Sequence, residues 1–195
     1  MPQNLTDSEE NRLLDLSLAN GDKLALMTVC GTDAAAGTEV TGGSYARQSL
    51  TWAAASGGSK SNSAALLFNG MPAVDVQGWA VYDSAGTTRK WYGVHAGRTV
   101  SATAATDVIT STAHGFTDGT KVVFQDGHAP AGLSGNTTYF VRDSTANTFK
   151  VAATLGGTAL DITADTTSAI LGKVLEVASG AAVSIAVGAI VLSLS

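Results

Sequence analysis

The hydrophobic pattern starts with helical spacing and changes to strand spacing after about twenty residues. Leu14 and Leu18 are four positions apart, which places both on one face of a helix. Thr6 and Glu9 have the spacing of a capping box, which satisfies backbone N–H groups at a helix start. The sequence therefore predicts one short N-terminal helix over residues 6–19.

After this helix, apolar residues follow a period of two, which is typical of β-strands. Glycine and aspartate clusters separate the apolar runs and favour tight turns. The predicted strands are Lys23–Val29, Ala46–Ala53, Ser63–Phe68, Val76–Tyr82 and Lys90–Ala96. Short strands at this spacing favour a β-sandwich or small barrel.

The amino-acid composition of the chain changes near Thr99. All three tryptophans precede this point, and threonine and aspartate become denser after it. Further strands are predicted at Asp107–Thr112, Lys121–Gln125, Thr137–Arg142, Thr148–Ala152 and Ala159–Thr163. We predict a mainly β protein in which residues 99–169 form an inserted small antiparallel β module. Residues 1–98 and 170–195 would form the host domain.

The most apolar segment, Ala181–Leu194, spans only 14 residues, whereas a membrane-spanning helix needs about 20. Its apolar side chains alternate with a period of two, and the phase slips at Gly188. This pattern predicts a strand, a turn or bulge and a final strand. We therefore expect no membrane partner.

Composition and charge narrow the function further. The chain is 45% hydrophobic but only 14% charged, with 22 glycines and a net charge of −5. Its 11 basic residues are scattered, and Arg89-Lys90 is their only adjacent pair, which argues against nucleic-acid binding. The single cysteine, Cys30, excludes an internal disulfide. Residues Met1–Asn4 lack a signal-peptide start, so we expect synthesis in a cytoplasm.

Candidate chemical groups are isolated along the chain. His95, His114 and His128 show no zinc-ligand spacing, and Cys30 ends an apolar run typical of a core position. No nucleophile elbow, phosphate loop or dinucleotide fingerprint is present. We predict no catalytic residue, no cofactor and no metal, although paired carboxylates of a glycosidase need not be adjacent in sequence.

Three aspartates in turns could offer oxygen ligands to calcium. Asp118, Asp126 and Asp143 each stand alone among glycine and threonine rather than in an Asp-x-Asp-x-Asp array. Stabilisation of the turn by the aspartate side chain is the favoured interpretation.

Residues 37–47 carry a recognisable motif, GTEVTGGSYAR, which follows the helical segment LTDSEENRLLDL and precedes QSLTW. With the stretch Ser61–Phe68, the strand around Gly78–Tyr82 and the closing SGAAVSIAVGAIVLSLS, it resembles a family of small virion proteins of tailed bacteriophages. Members of that family are described as minor tail, tail-fibre-like or head-decoration proteins.

The predicted insertion resembles a β module of phage structural proteins through ITSTAHGFTDGTKVVF and LSGNTTYFVRDSTANTFKVAAT. In the resembled family, the strand near residue 90 is followed shortly by the closing strands. The resemblance therefore implies that residues 99–169 are inserted.

The motif residues Gly42, Gly43, Ser44, Tyr45 and Arg47 are the candidate structural site. The two glycines can adopt positive φ angles and bring the loop close to the sheet, while Tyr45 and Arg47 flank a strand start. A packed corner at the edge of the sandwich is favoured over a ligand-binding loop.

The resemblance implies a non-enzymatic virion structural protein, made in the cytoplasm of the host bacterium and located on the capsid surface or tail. Because heptads and fibre repeats are missing, we expect a capsid decoration protein that binds a major capsid protein and copies of itself, with a trimer as the expected oligomer. The alternative is a minor tail or tail-fibre protein, bound to a tail protein, which could recognise host surface glycans. Aromatic candidates for glycan contact are Tyr45, Trp79, Trp91, Tyr92 and Tyr139. A depolymerase is a third hypothesis.

Overall fold

The structure, a computed structural model, describes residues 5–194. Met1–Asn4, on which the expectation about a signal peptide rests, and Ser195 lie outside the described residues. Helix α1 (Asp7–Ser17) is capped by Thr6, whose hydroxyl accepts a hydrogen bond from the Glu9 amide at 3.4 Å. Its apolar face buries Leu14, so the predicted helix is confirmed with slightly shorter bounds.

The described residues form seventeen strands, all paired antiparallel. They are β1 (Lys23–Val29), β2 (Thr38–Glu39), β3 (Gln48–Ser49), β4 (Ser59–Ser61), β5 (Leu66–Phe68), β6 (Val74–Val76), β7 (Gly78–Tyr82), β8 (Arg89–Val94), β9 (Arg98–Thr103), β10 (Val108–Thr110), β11 (Lys121–Phe124), β12 (Thr138–Arg142), β13 (Thr148–Ala152), β14 (Thr166–Lys173), β15 (Leu175–Val177), β16 (Val183–Ile185) and β17 (Val191–Ser193). The mainly β fold class with one short helix is thereby confirmed.

A five-stranded sheet supports the first core. Its strand order is β2-β1-β7-β8, and β3 also pairs with β1. Because side chains alternate across a strand, Leu24 and Leu26 face the main core, whereas Ala25 and Met27 join a small cluster on the opposite face. Helix α1 and three two-stranded ladders, β4–β17, β5–β16 and β6–β15, complete the main core.

The second core fills a closed six-stranded barrel with strand order β10-β13-β12-β11-β14-β9. Ile109, Phe124 and Phe149 are fully buried inside it. The barrel strands run from Arg98 to Lys173, slightly beyond the predicted 99–169. The division into a host domain and an inserted module stays a prediction.

Two predicted strands are wrong. Residues 159–163 form no strand. Ile162 is buried, but it lies in an irregular segment, and its amide donates to a side chain, Asp107 Oδ1, at 2.9 Å instead of to a neighbouring strand. Within residues 46–53, only Gln48–Ser49 is a strand. The chain beyond it turns, and the Leu50 amide bonds to the Asp22 carbonyl.

The C-terminal segment folds as predicted. Strand β16 is followed by a turn in which Gly188 adopts a φ of 73°, and β17 then ends the described chain. Ile190 and Leu192 are buried, whereas Val191 faces outward. No helix within residues 5–194 has the length and apolar character needed to cross a membrane.

Contacts join the barrel to the first core. Cys30, Val94, Val123 and Val174 form a small buried cluster between them. Gln77 Nε2 also donates to Thr138 Oγ1 at 3.0 Å across the junction. Grooves along this junction are therefore built from residues far apart in sequence.

Candidate functional site

The two motif glycines form a tight corner. Gly42 and Gly43 have φ angles of 98° and 59°, in the region that glycine adopts readily. A Cβ on Gly43 would lie 2.3 Å from the Gly70 carbonyl oxygen, which also accepts a hydrogen bond from the Ser44 amide at 2.8 Å. The close approach of these two loops therefore needs a glycine at position 43.

Tyr45 connects this corner to the sheet. Its hydroxyl accepts from the Leu26 amide and donates to Glu39 Oε1, both at 2.9 Å. Its ring stacks on Phe68 with a centroid separation of 5.8 Å and an interplanar angle of 7°. Burial raises the pKa of the Tyr45 hydroxyl above its ordinary value, so the phenol remains a hydrogen-bond donor at neutral pH.

Arg47 is also held within the molecule. Its Nε and Nη2 atoms donate to the Glu39 carboxylate at 2.9 and 2.7 Å, and Nη1 donates to the Gly86 carbonyl at 2.7 Å. The guanidinium lies 3.8 Å from the Tyr82 ring centroid. The hydrogen bonds from Arg47 to Glu39 raise the pKa of Arg47. These contacts favour a packed corner over a ligand-binding loop.

The residues that were considered as candidate chemical groups are dispersed in the structure. Cys30 is buried, which raises the pKa of its thiol to about 12, so the reactive thiolate is scarce at neutral pH. His114 is buried between Phe116 and Phe149, whereas His128 is exposed on a loop. Between residues 5 and 194, no group of three or more His, Cys, Asp or Glu side chains could hold a metal ion.

Two of the three turn aspartates make contacts. Asp118 Oδ1 accepts from the Ser144 amide of a different turn at 2.9 Å, and Asp143 pairs with its neighbour Arg142 at 3.1 Å. Neither contact is a hydrogen bond from the aspartate to the backbone of its own turn, so the turn-stabilising interpretation stays a prediction.

An open groove of about 580 Å³ runs along the junction between the sheet and the barrel. The sheet contributes two tryptophans, the barrel contributes polar side chains, and the C-terminal strand forms the remaining wall. The lining consists of Trp79, Trp91, Tyr92, Gly93, Val94, Ala96, Gly97, Arg98, Thr99, Gln125, Ile170, Ala189, Val191, Leu192 and Ser193. Such junctions between folded units are frequent ligand sites.

The five aromatic candidates lie in different places. Trp79 and Trp91 line the groove, whereas the side chain of Tyr92 packs against the small cluster on the opposite face of the sheet. Tyr45 lies in the corner described above, and Tyr139 belongs to the barrel core, where its hydroxyl accepts from the Ser134 amide at 2.8 Å. The structure therefore leaves two of the five side chains at a common surface.

Sequence reasoning missed the groove itself. Thr99 and Gln125 of the barrel and Val191 of β17 line it together with the tryptophans, although they lie far apart in sequence. No local pattern could have associated them with tryptophans from a different sheet.

The fold and these sites define a mainly β protein with a packed loop corner and an open groove between its sheet and its barrel. The chain belongs to the family described as podophage GP4 fiber I protein gp80, whose model matches residues 6–117, more than half of the chain. It is thus a bacteriophage structural protein. No curated protein matches the chain. No solved structure matches it either.

Proposed function

We propose that this chain is a non-enzymatic component of the tail-fibre apparatus of a bacteriophage virion. The membership of the fibre family carries this proposal. The hydrogen bonds of Tyr45 and Arg47 to Glu39 support it, because the residues of the most distinctive motif then hold loops of the chain together.

This proposal departs from the capsid-decoration role that the sequence alone favoured. That preference rested on a short chain without fibre repeats, whereas the family description refers to a fibre. A lack of fibre repeats argues against an extended shaft in this chain, but a compact domain can also be part of a fibre.

Self-association is part of the proposal. Val187 and Val191 expose 61% and 56% of their surfaces on the C-terminal segment. Exposed apolar residues beside a strand edge favour contacts between subunits. We propose a homotrimer that binds another tail protein.

Quantitative mass spectrometry and immunogold labelling of purified virions test this assignment. We expect label at the tail and a copy number that is a small multiple of three. Label on the head with hundreds of copies per particle would instead establish capsid decoration. Native mass spectrometry of the purified chain tests the trimer, and a monomer both in solution and in the particle contradicts it.

A further inference from the structure

The first core is open along one side, between two strand edges. Strand β8 ends the five-stranded sheet and pairs only with β7, whereas β17 ends its ladder and pairs only with β4. Both strands line the groove at the junction with the barrel. Among the described residues, the groove is therefore bounded by two edges that have no strand on their outer side.

The β8 edge presents unpaired peptide groups to the groove. The His95 amide donates to the Gln77 carbonyl in the same register as the β7–β8 ladder. Because hydrogen-bonded positions alternate along an antiparallel pair, the peptide groups of Tyr92 and Val94 point away from β7. Within residues 5–194, these peptide groups have no backbone partner. The side chain of Tyr92 packs on the opposite face of the sheet, so Tyr92 lines the groove through its backbone.

The β17 edge presents unpaired peptide groups as well. The Asn62 amide donates to the Ile190 carbonyl at one end of the β4–β17 ladder. By the same alternation, the peptide groups of Val191 and Ser193 point away from β4. They too have no backbone partner in the part of the chain that the structure describes. Both walls of the groove therefore carry free amide donors and carbonyl acceptors.

The space between the two edges has the volume of a short strand. Both Trp79 and Trp91 line it, and a Cβ at Gly93 would lie 2.9 Å from the Trp79 ring, so this indole lies against the β8 backbone. Arg98 is the one charged residue of the lining, but its guanidinium lies over Phe116 of the barrel core. A volume of about 580 Å³ corresponds to roughly four strand residues, given a rise of about 3.3 Å, strands about 4.8 Å apart and sheets about 10 Å apart. The occupant that fits is therefore short, extended and uncharged.

We propose that an extended segment of a different virion protein docks in this groove as an added β-strand. Such a segment carries amide and carbonyl groups on both of its edges, so it can pair with β8 and with β17. Its alternate side chains cover the two indoles. The inference goes beyond the proposed place in the fibre, because it rests only on the chain's being a phage structural protein.

A second copy of this chain is the competing occupant. The seventeen strands of the described residues are all paired within the chain, so a second copy has no free strand to donate unless part of it unfolds. Strand β17 also has neither a proline nor a charged side chain, the features that usually protect an exposed edge from pairing. The unprotected edge and the lack of a spare strand therefore favour a segment from a different protein.

Hydrogen exchange and crosslinking test the proposal in the assembled particle. The amides of Tyr92, Val191 and Ser193 should exchange faster in the purified chain than in the virion, because an added strand protects them. Strand β2 is the control, since it lies at the opposite end of the same sheet and should exchange equally in both states. In virions that carry Ser193→Cys labelled with a benzophenone, we expect crosslinks to one segment of a different protein. The label is specific because Ser193 is exposed and Cys30 is buried.

Eight-residue synthetic peptides that cover the crosslinked segment are the probes for binding to the full chain. Calorimetry gives the affinity, and tryptophan fluorescence reports the groove, because two of the three tryptophans line it. Val191→Pro removes an amide that faces the groove and leaves the β4 ladder intact. It should weaken binding about 10-fold, the upper range for one lost hydrogen bond, whereas Val191→Thr should not. Val187→Pro is the control, because Val187 precedes Gly188 in an exposed turn outside the lining.

Circular dichroism verifies that each variant is folded. A peptide with proline at its centre tests the same pairing from the side of the ligand, and it should bind about 10-fold more weakly to the unmodified chain. Four results overturn the inference: the groove amides exchange equally in both states, the crosslinks lead to a copy of this chain, no peptide of the crosslinked segment binds, or proline in the peptide leaves its affinity unchanged.

Discussion

Asn62 holds the C-terminal wall of the groove in place, and its removal should strongly destabilise the first core. It is 1% exposed and lies beside β4. Its Oδ1 accepts from the Ile190 amide at 2.9 Å, and its Nδ2 donates to the carbonyls of Ala64 and Ala186 at 2.8 and 2.9 Å. The Asn62 side chain thus connects the C-terminal segment to the residues that follow β4.

The expected magnitude follows from these three hydrogen bonds. Each contributes about 1 kcal/mol net, and a buried N–H left without a partner costs a further 1–3 kcal/mol or so. The Ile190 amide is the buried donor that Asn62→Ala would leave unpaired. We therefore expect Asn62→Ala to lower the free energy of unfolding by about 4–6 kcal/mol.

Urea denaturation followed by tryptophan fluorescence measures this loss selectively, because all three tryptophans precede the barrel. Hydrogen exchange of the segment 183–194 should accelerate, whereas barrel amides should keep their protection. Asn20→Ala is the control, since exposed Asn20 makes one hydrogen bond, to the Trp52 amide at 2.9 Å, and should cost about 1 kcal/mol. A loss below about 1 kcal/mol for Asn62→Ala, or an equal loss for both variants, would refute the reasoning.

Two further predictions concern the corner and the buried thiol. Tyr45→Phe should lower the free energy of unfolding by about 1–2 kcal/mol because the Leu26 amide loses its acceptor. In denaturation experiments, Glu39→Gln should destabilise the Tyr45→Phe variant less than it destabilises the unmodified chain. Strictly additive losses would contradict the hydrogen bond between Tyr45 and Glu39. Burial raises the pKa of Cys30 from 9.0 to about 12, so the unfolded chain ionises this thiol first. Stability should therefore fall as pH rises above about 9, with a contribution from this thiol of up to about 1.4 kcal/mol per pH unit. Cys30→Ala should lack that contribution between pH 9 and 10, and identical pH slopes for the two proteins would count against it.

The elements that the sequence predicts well are those with strong local signals. The helix is predictable because Thr6 and Glu9 define its start and Leu14 defines its buried face. The final two strands are predictable because Gly188 breaks a clear alternation. Periodicity, capping and glycine turns are local properties of the sequence, so they can be recognised without knowing which strands pair.

Predictions fail where a buried residue does not lie in a strand. The alternating residues Leu160 and Ile162 suggested a strand at residues 159–163, yet both pack against the barrel core from an irregular segment. Conversely, β9 escaped prediction although it closes the barrel between β10 and β14. Burial alone therefore does not distinguish a strand from a segment that covers the core.

The groove lay beyond prediction for a different reason, because its chemistry depends on which strands meet. Strand β17 pairs with β4, more than a hundred residues earlier, and this pairing brings Val191 to the groove that Trp91 also lines. The sequence could nominate the tryptophans as aromatic candidates, but only the strand pairing supplies the second wall of the groove. Loss of Asn62 should therefore disturb this groove as well as stability, since the same side chain fixes the position of the wall that Val191 forms.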